Sequence, residues 1–199
     1  MSEPWKAVPA AVEAAVAPLQ AGYLSRAPWA IRLMAQLRHA ELTEPGTDPQ
    51  LWEVTLGRLP EDLLGHGSGP ATASERAVHA SLVLYSLHQQ SRTEPMHHRG
   101  VGLGRAVRTL SSRRSSDPQS PDPGTIARFQ HLCRAATWSQ QLQSLRGLVQ
   151  LMRAEGIPVD HARLAGDLWA LQTNRHDSTI LSWGRQFQLI RTTSEGDLS

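Results

Sequence analysis

A stretch of eleven residues without a formal charge, 77–87, limits the fold of this 199-residue chain more than any other feature. Its apolar side chains fall on nearly every side of a helical wheel, which is typical of a helix buried all round. Thr72 and Glu75 stand three positions apart just before it and predict a capping box. The segment is too short to cross a bilayer, which takes about 20 residues. We therefore expect a central, buried helix in a soluble helical core.

Helical periodicity recurs along the rest of the chain, and no segment alternates with a period of two. The predicted helices are 9–21, 28–43, one capped by Asp48, the central helix after Thr72, 104–112, 125–137, one capped by Ser139, 159–172 and 177–190. The predicted fold class is all-α, a compact helical bundle of about eight to nine helices.

We expect one helical domain over residues 1–199 with a Ser/Pro-rich interruption. The expected parts are an N-terminal lobe at about 1–114, a loop at 115–124, a C-terminal helical lobe at 125–190 and a flexible tail at 191–199. The single Cys133 excludes an internal disulfide and any multi-cysteine metal site. A start without a continuous apolar run lacks a secretory signal, so we expect a cytoplasmic protein.

Charge is strongly segregated although the net charge is only +2. Residues 1–98 carry 7 basic residues and 10 acids, 99–153 carry 9 arginines and 2 acids, and 154–199 carry 4 arginines and 6 acids. Within the basic block Arg105 and Arg108 are three apart, and Arg146 and Arg153 share one stripe at the border of a buried helical face. Such a row of guanidinium groups suits a phosphate backbone.

The candidate chemical sites in the sequence are weak. The glycines of GVGLG at 100–104 follow no strand and precede no P-loop lysine, so we interpret them as a tight helix entry. His88, His97 and His98 lack carboxylate or cysteine partners at ligand spacing and are interpreted as structural or phosphate-contacting residues. Cys133 lies on an apolar helical face, as a small core residue does. We predict no catalytic residues, no metal site and no cofactor.

Several motifs, in order, resemble the small subunit of the type I-E CRISPR effector complex Cascade, the CasB family. They are VLYSLHQQ at 83–90, PMHHRGVGLGRAV at 95–107, ARFQHLCRA at 127–135, LRGLVQLMRAEGIPVDHARLAGDL at 145–168 and WGRQF at 183–187. The long Ser/Pro loop departs from the family pattern and is interpreted as an insertion.

The resemblance implies an all-helical, non-catalytic subunit that pairs with a second copy of itself. It also implies contacts with the other Cascade subunits, with guide RNA and with target DNA, including the displaced single strand of the R-loop. The family's basic contact positions correspond to Arg38, Arg105, Arg108, Arg128, Arg134 and Arg146. Charge alone adds Arg113, Arg114 and Arg153.

Three hypotheses follow from the sequence. The first is a subunit that binds nucleic acid without sequence specificity and stabilises the R-loop in antiviral defence. The second is a protein–protein interaction scaffold whose arginines meet acidic partners and never touch nucleic acid. The third, a small hydrolase using His97 or His98, lacks a paired nucleophile.

Overall fold

The computed structural model describes residues 2–117 and 120–189, and within them the chain is all-α, as predicted. The helices are α1 (Pro4–Leu24), α2 (Pro28–His39), α3 (Ala73–Gln89), α4 (Leu103–Arg114), α5 (Pro123–Arg134), α6 (Trp138–Glu155), α7 (His161–Leu171) and α8 (His176–Gln188). Across the described residues the only β pairing is an isolated parallel bridge between His97 and Val159.

Helix α3 is the centre of the fold. Its capping box is formed, with Glu75 N donating to Thr72 Oγ1 at 3.2 Å and Thr72 N donating to Glu75 Oε2 at 2.6 Å. Every residue from 77 to 89 is buried, because α1, α2, α6 and α7 pack against it from different sides. The prediction of a helix buried all round is confirmed.

Helix α1 is longer than the sequence pattern predicts. It runs from Pro4 to Leu24 and passes through Pro9 and Pro18, each of which lacks the N–H that a helix interior uses. The helix continues because its apolar face, including Val12 and Val16, is fully buried against α7 and α3. Tertiary packing therefore outweighs two lost backbone hydrogen bonds.

The α-helix predicted after Asp48 is wrong. Asp48 does accept a hydrogen bond from Gln50 N at 2.9 Å, but only short 3-10 turns follow, at Pro49–Leu51, Leu56–Arg58 and Glu61–Leu63. Gly57 and Pro60 interrupt the segment before a continuous helix forms.

The start of α6 also differs from the prediction. Thr137, not Ser139, is the N-cap, and it forms a capping box with Gln140. The helix ends at Gly156, whose φ of 64° is the left-handed conformation that glycine adopts easily. The predicted stop at this glycine is therefore confirmed.

The glycines of the GVGLG segment allow α8 to approach the start of α4. A Cβ on Gly104 would lie 2.1 Å from the carbonyl oxygen of Trp183, and one on Gly102 would lie 2.1 Å from Gln186 Oε1. Gly100 has a φ of 82°. This is the tight helix entry predicted from the sequence, and it fixes α4 against α8.

The predicted tail at 191–199 lies outside the described residues. No helix in the described part of the chain combines the length and apolar character needed to span a membrane.

Candidate nucleic-acid interface

The nine arginines predicted to contact nucleic acid differ in whether their guanidinium groups already have hydrogen-bond or ion-pair partners within the protein. Arg105, Arg134 and Arg146 are exposed, and no hydrogen bond or ion pair occupies their guanidinium groups within the described residues. Arg108 is half-buried, with its guanidinium carbon 5.5 Å from the centre of the Phe187 ring. A guanidinium stacked on an aromatic ring keeps its N–H donors free at the edge.

Arg113 and Arg114, at the end of α4, are tied to the protein itself. Arg113 donates to the carbonyl oxygen of Glu155, while Arg114 lies 3.5 Å from the Glu155 carboxylate and 4.0 Å from that of Asp122. These contacts join α4 to the end of α6 and to the start of α5. Neighbouring carboxylates thus neutralise part of the charge of Arg114, while the guanidinium group of Arg113 is held by a backbone oxygen.

Arg153 is a structural residue. Its Nη1 donates to Leu87 O at 3.3 Å and to Gln90 Oε1 at 2.8 Å, and its side chain is half-buried. The guanidinium therefore donates to a carbonyl oxygen in the last turn of α3, where the helix itself supplies no N–H partner, and to the side chain of the residue that follows the helix.

Arg38 and Arg128 lie in different settings. Arg38, on α2, is half-buried, and its Nη1 is buried with no hydrogen-bond partner among the described residues. Arg128 is exposed and donates to Gly124 O at 3.2 Å, within its own helix.

Arg105 and Arg108 line a cavity of about 420 Å³ together with Arg163. Arg163 comes from α7, so the cavity joins the arginines of two helices that are about 60 residues apart in the sequence. Within the described residues no aspartate or glutamate lines the cavity. Three cations in one acid-free depression produce a local positive field that attracts an anion.

Two further depressions continue from this cavity. Arg108 also lines one of about 590 Å³ that includes Arg134, and Arg134 in turn lines one of about 570 Å³ that includes Arg76. No acid lines either depression within the part of the chain that the structure describes. We call the series Arg163, Arg105, Arg108, Arg134 and Arg76 the basic track.

Two pairs of histidine contacts connect the core near the start of α7. His88 Nε2 lies 2.9 Å from Ile157 O, so Nε2 carries the proton and Nδ1 accepts from His161 Nε2 at 2.9 Å. The backbone N–H of His161 donates to His97 Nδ1 at 3.0 Å, so His97 Nε2 carries the proton that faces Glu13 Oε2 at 3.2 Å. These contacts join α3, α7 and α1 through the three imidazole rings.

Burial explains why the imidazoles of His88 and His161 stay neutral. Burial lowers the pKa of His88 to about 4 and lowers the pKa of His161 well below 6.5, with His88 and His97 adding to the shift at His161. The interpretation of His88 and His97 as structural residues fits this arrangement.

Glu13, His97 and Asp160 place one potential ligand atom each within 4.8 Å of one another, in the described part of the chain. A metal needs a lone pair on His97, but Nδ1 already accepts from His161 and Nε2 carries its proton toward Glu13. The cluster is thus a hydrogen-bonded group that does not fit a metal ion. The same use of both ring nitrogens disfavours His97 as a general base.

Cys133 is half-buried, and burial raises the pKa of its thiol. A protonated thiol is a poor nucleophile, so this environment suits the predicted role of a small core residue.

The fold and the surface define a class: an all-α protein built around one central helix that is buried along most of its length, with arginines lining adjoining acid-free depressions. The family model of the CRISPR-associated protein Cse2 matches residues 33–187. The crystal structure of CasB from Thermobifida fusca is similar, with 32% sequence identity, a TM-score of 0.76, and coverage of 93% of this chain and 98% of that one. Comparison with curated protein sequences gives no match.

The chain belongs to the CRISPR-associated Cse2 family, the CasB family of Cascade small subunits. The resemblance identified from the sequence motifs is confirmed. The family model matches most of the chain, and the fold agrees with that of the solved relative over nearly the whole length of the relative.

The sequence groups Arg105, Arg108 and Arg134 in one basic block, but it does not single out Arg163 or Arg76. Both lie outside the block 99–153, in segments where acids outnumber basic residues. Arg76 also donates to Gln172 Oε1 at 2.6 Å. Only the packing of α7 and α8 beside α4 places Arg163 next to Arg105.

Proposed function

We propose that this protein is a non-catalytic small subunit of a type I-E CRISPR RNA-guided surveillance complex in the cytoplasm. In that complex it binds nucleic acid without sequence specificity and stabilises the displaced strand of the R-loop. Its partners are the other Cascade subunits, a second copy of itself, the guide RNA and the target DNA. Family membership supports the complex, and the basic track supports the contact with nucleic acid.

The observation that carries this proposal is the acid-free cavity formed by Arg105, Arg108 and Arg163. Guanidinium groups bind phosphate oxygens with two parallel N–H donors, and that geometry is the same at every nucleotide. In RNA-guided systems base pairing supplies the sequence specificity, so the protein needs charge and shape rather than a base code. The basic track offers both over several adjoining depressions.

Cross-linking tests the proposal in the assembled complex. Ultraviolet irradiation of the complex on a target whose displaced strand is thymine-rich is expected to give adducts on this subunit near α4, α5 and α8. The Arg105→Ala, Arg108→Ala, Arg134→Ala triple variant is expected to lose at least about tenfold in adduct yield, because each lost charge-assisted hydrogen bond contributes about 1.5–3 kcal/mol.

Arg58→Ala is the matched control, since Arg58 is an exposed arginine in the N-terminal part of the chain, outside the basic track. It should leave the adduct yield unchanged. Normal assembly of the complex without any adduct on this subunit would contradict nucleic-acid binding. That result would favour the scaffold, for which exposed Trp29, Ile31 and Trp52 offer an apolar contact surface.

A further inference from the structure

A groove of about 650 Å³ lies where α1, α7 and α8 meet. Its volume is in the range of small-molecule binding sites, about 300–1,000 Å³. Most of its lining is apolar, and two indole side chains, Trp5 from α1 and Trp169 from α7, form part of it. The groove therefore presents aromatic surface beside the basic track.

The two indoles differ in exposure. Trp5 is 47% exposed, and Lys6 Nζ lies 4.5 Å from its ring centre, so an accessible part of the indole lies beside a cation. Trp169 is half-buried, with the Arg175 guanidinium carbon 5.9 Å from its ring centre. A flat aromatic ring next to cations suits an uncharged planar group that is attached to an anion.

Two of the carboxylates in the groove already have partners. Glu13 Oε1 accepts from Arg99 at 2.7 and 2.8 Å. The two oxygens of Asp160 accept from Gly100 N at 2.8 Å and from Arg163 N at 2.9 Å. The hydrogen bonds of these two carboxylates therefore connect segments of the fold.

The third carboxylate in the groove, that of Asp167, also has a hydrogen-bond partner. It accepts from Trp183 Nε1 at 2.7 Å, and burial raises its pKa to about 6. Neither Arg163 nor Arg175 forms a salt bridge within the described residues, although the charge of Arg163 acts to lower the pKa of Asp167. Three carboxylates and three guanidinium groups thus line the groove, and Arg163 and Arg175 lie outside the ion pair of Glu13 with Arg99.

The groove continues the basic track. Arg163 lines both the groove and the cavity that holds Arg105 and Arg108. A strand whose phosphates lie on the basic track therefore reaches the groove at Arg163 without leaving the protein surface. A phosphate at Arg163 would bring the adjacent sugar and base to the mouth of the groove.

We propose that this groove binds an unpaired nucleobase of a single strand, stacked on Trp5 with Trp169 behind it and with its phosphate on Arg163. This inference rests on the proposed nucleic-acid binding and adds a base-stacking site to it. Stacking is sequence-tolerant because every base has an aromatic face, so the site agrees with a subunit that does not read sequence.

The test compares Trp5→Ala with Trp5→Phe and Trp52→Ala in equilibrium binding to the full-length protein. Trp52, at 49% exposure and outside the groove, is the matched control. The two probes are a fluorescent oligothymidylate and an abasic oligomer of the same length and charge. Trp5→Ala is expected to weaken oligothymidylate binding by about 5- to 150-fold, the effect of one lost stacking contact of about 1–3 kcal/mol.

Trp5→Ala is expected to leave abasic binding unchanged, while Trp5→Phe keeps most of the affinity and Trp52→Ala keeps all of it. Equal weakening of both probes by Trp5→Ala, or no weakening of either, would overturn the stacking site while the wild-type protein still bound DNA. Absence of binding by the wild-type protein to both probes would overturn the proposed function together with this inference, so the two failures are distinguishable.

Discussion

His88 and His161 are titratable residues in the centre of the core, and the fold accepts them only as neutral rings. Each ring nitrogen of His88 has a partner, whereas His161 Nδ1 is buried without one in the described residues. Protonating either ring places a positive charge where no carboxylate of the described residues pairs with it. The two residues therefore make the stability of the core depend on pH.

We expect the free energy of unfolding to fall as the pH decreases from 6.5 to about 4. Burial depresses the folded-state pKa of both histidines, so the unfolded chain binds more protons over this range. His88→Gln, which keeps a donor for Ile157 O, should remove about 2–3 kcal/mol of this pH dependence, because burial lowers the pKa of His88 from 6.5 to about 4. Urea unfolding at several pH values measures it.

The exposed His39 provides the control, and His39→Gln should keep the wild-type pH dependence. Asp167 contributes the opposite trend, since its raised pKa lowers stability as the pH rises toward about 6, but it does so equally in all these variants. An unchanged slope in His88→Gln would mean that His88 is not the buried titrating group.

At the scale of elements, the contact between α4 and α8 depends on two glycines. Gly104 lets the Trp183 carbonyl oxygen approach to a distance that a side chain does not allow. This contact also places Phe187 of α8 under the Arg108 guanidinium. The geometry of the basic track is thus set by backbone approach rather than by the arginines themselves.

Gly104→Ala is expected to destabilise the protein by about 1–3 kcal/mol or more, because its Cβ meets backbone atoms that cannot rotate away. Gly147→Ala is the matched change, in α6, where nothing lies within 4 Å of the new Cβ. It should stabilise by about 0.5–1 kcal/mol, since alanine loses less entropy than glycine in a helix. Equal midpoints of thermal unfolding for the two variants would contradict this account.

The sequence predicts elements best where a local interaction decides them. The capping box at Thr72, the proline at the start of α2 and the glycine after α6 act through neighbouring backbone groups, and each is found where it is expected. The continuation of α1 through Pro9 and Pro18 depends on packing against distant helices, which no local pattern contains. Arg163 was missed for the same reason.

At the scale of the whole molecule, the basic block in the sequence and the basic track on the surface overlap only in part. Arg113, Arg114 and Arg153 belong to the block but hold the protein together. Arg163 and Arg76 lie outside it but line the same depressions as Arg105 and Arg134. Charge counted along the chain therefore locates the region of the candidate interface, and only the fold selects its members.

The salt dependence of single-strand binding tests the central claim most directly. Each phosphate neutralised by the protein contributes about 0.7 to the slope of log affinity against log salt concentration. We predict that the Arg105→Ala, Arg108→Ala, Arg134→Ala variant has a slope shallower by about 2 than wild type for a fluorescent oligothymidylate, whereas Arg58→Ala keeps the wild-type slope. A triple variant that weakens binding without changing the slope, or that changes neither, would contradict the assignment of these arginines to the phosphate backbone.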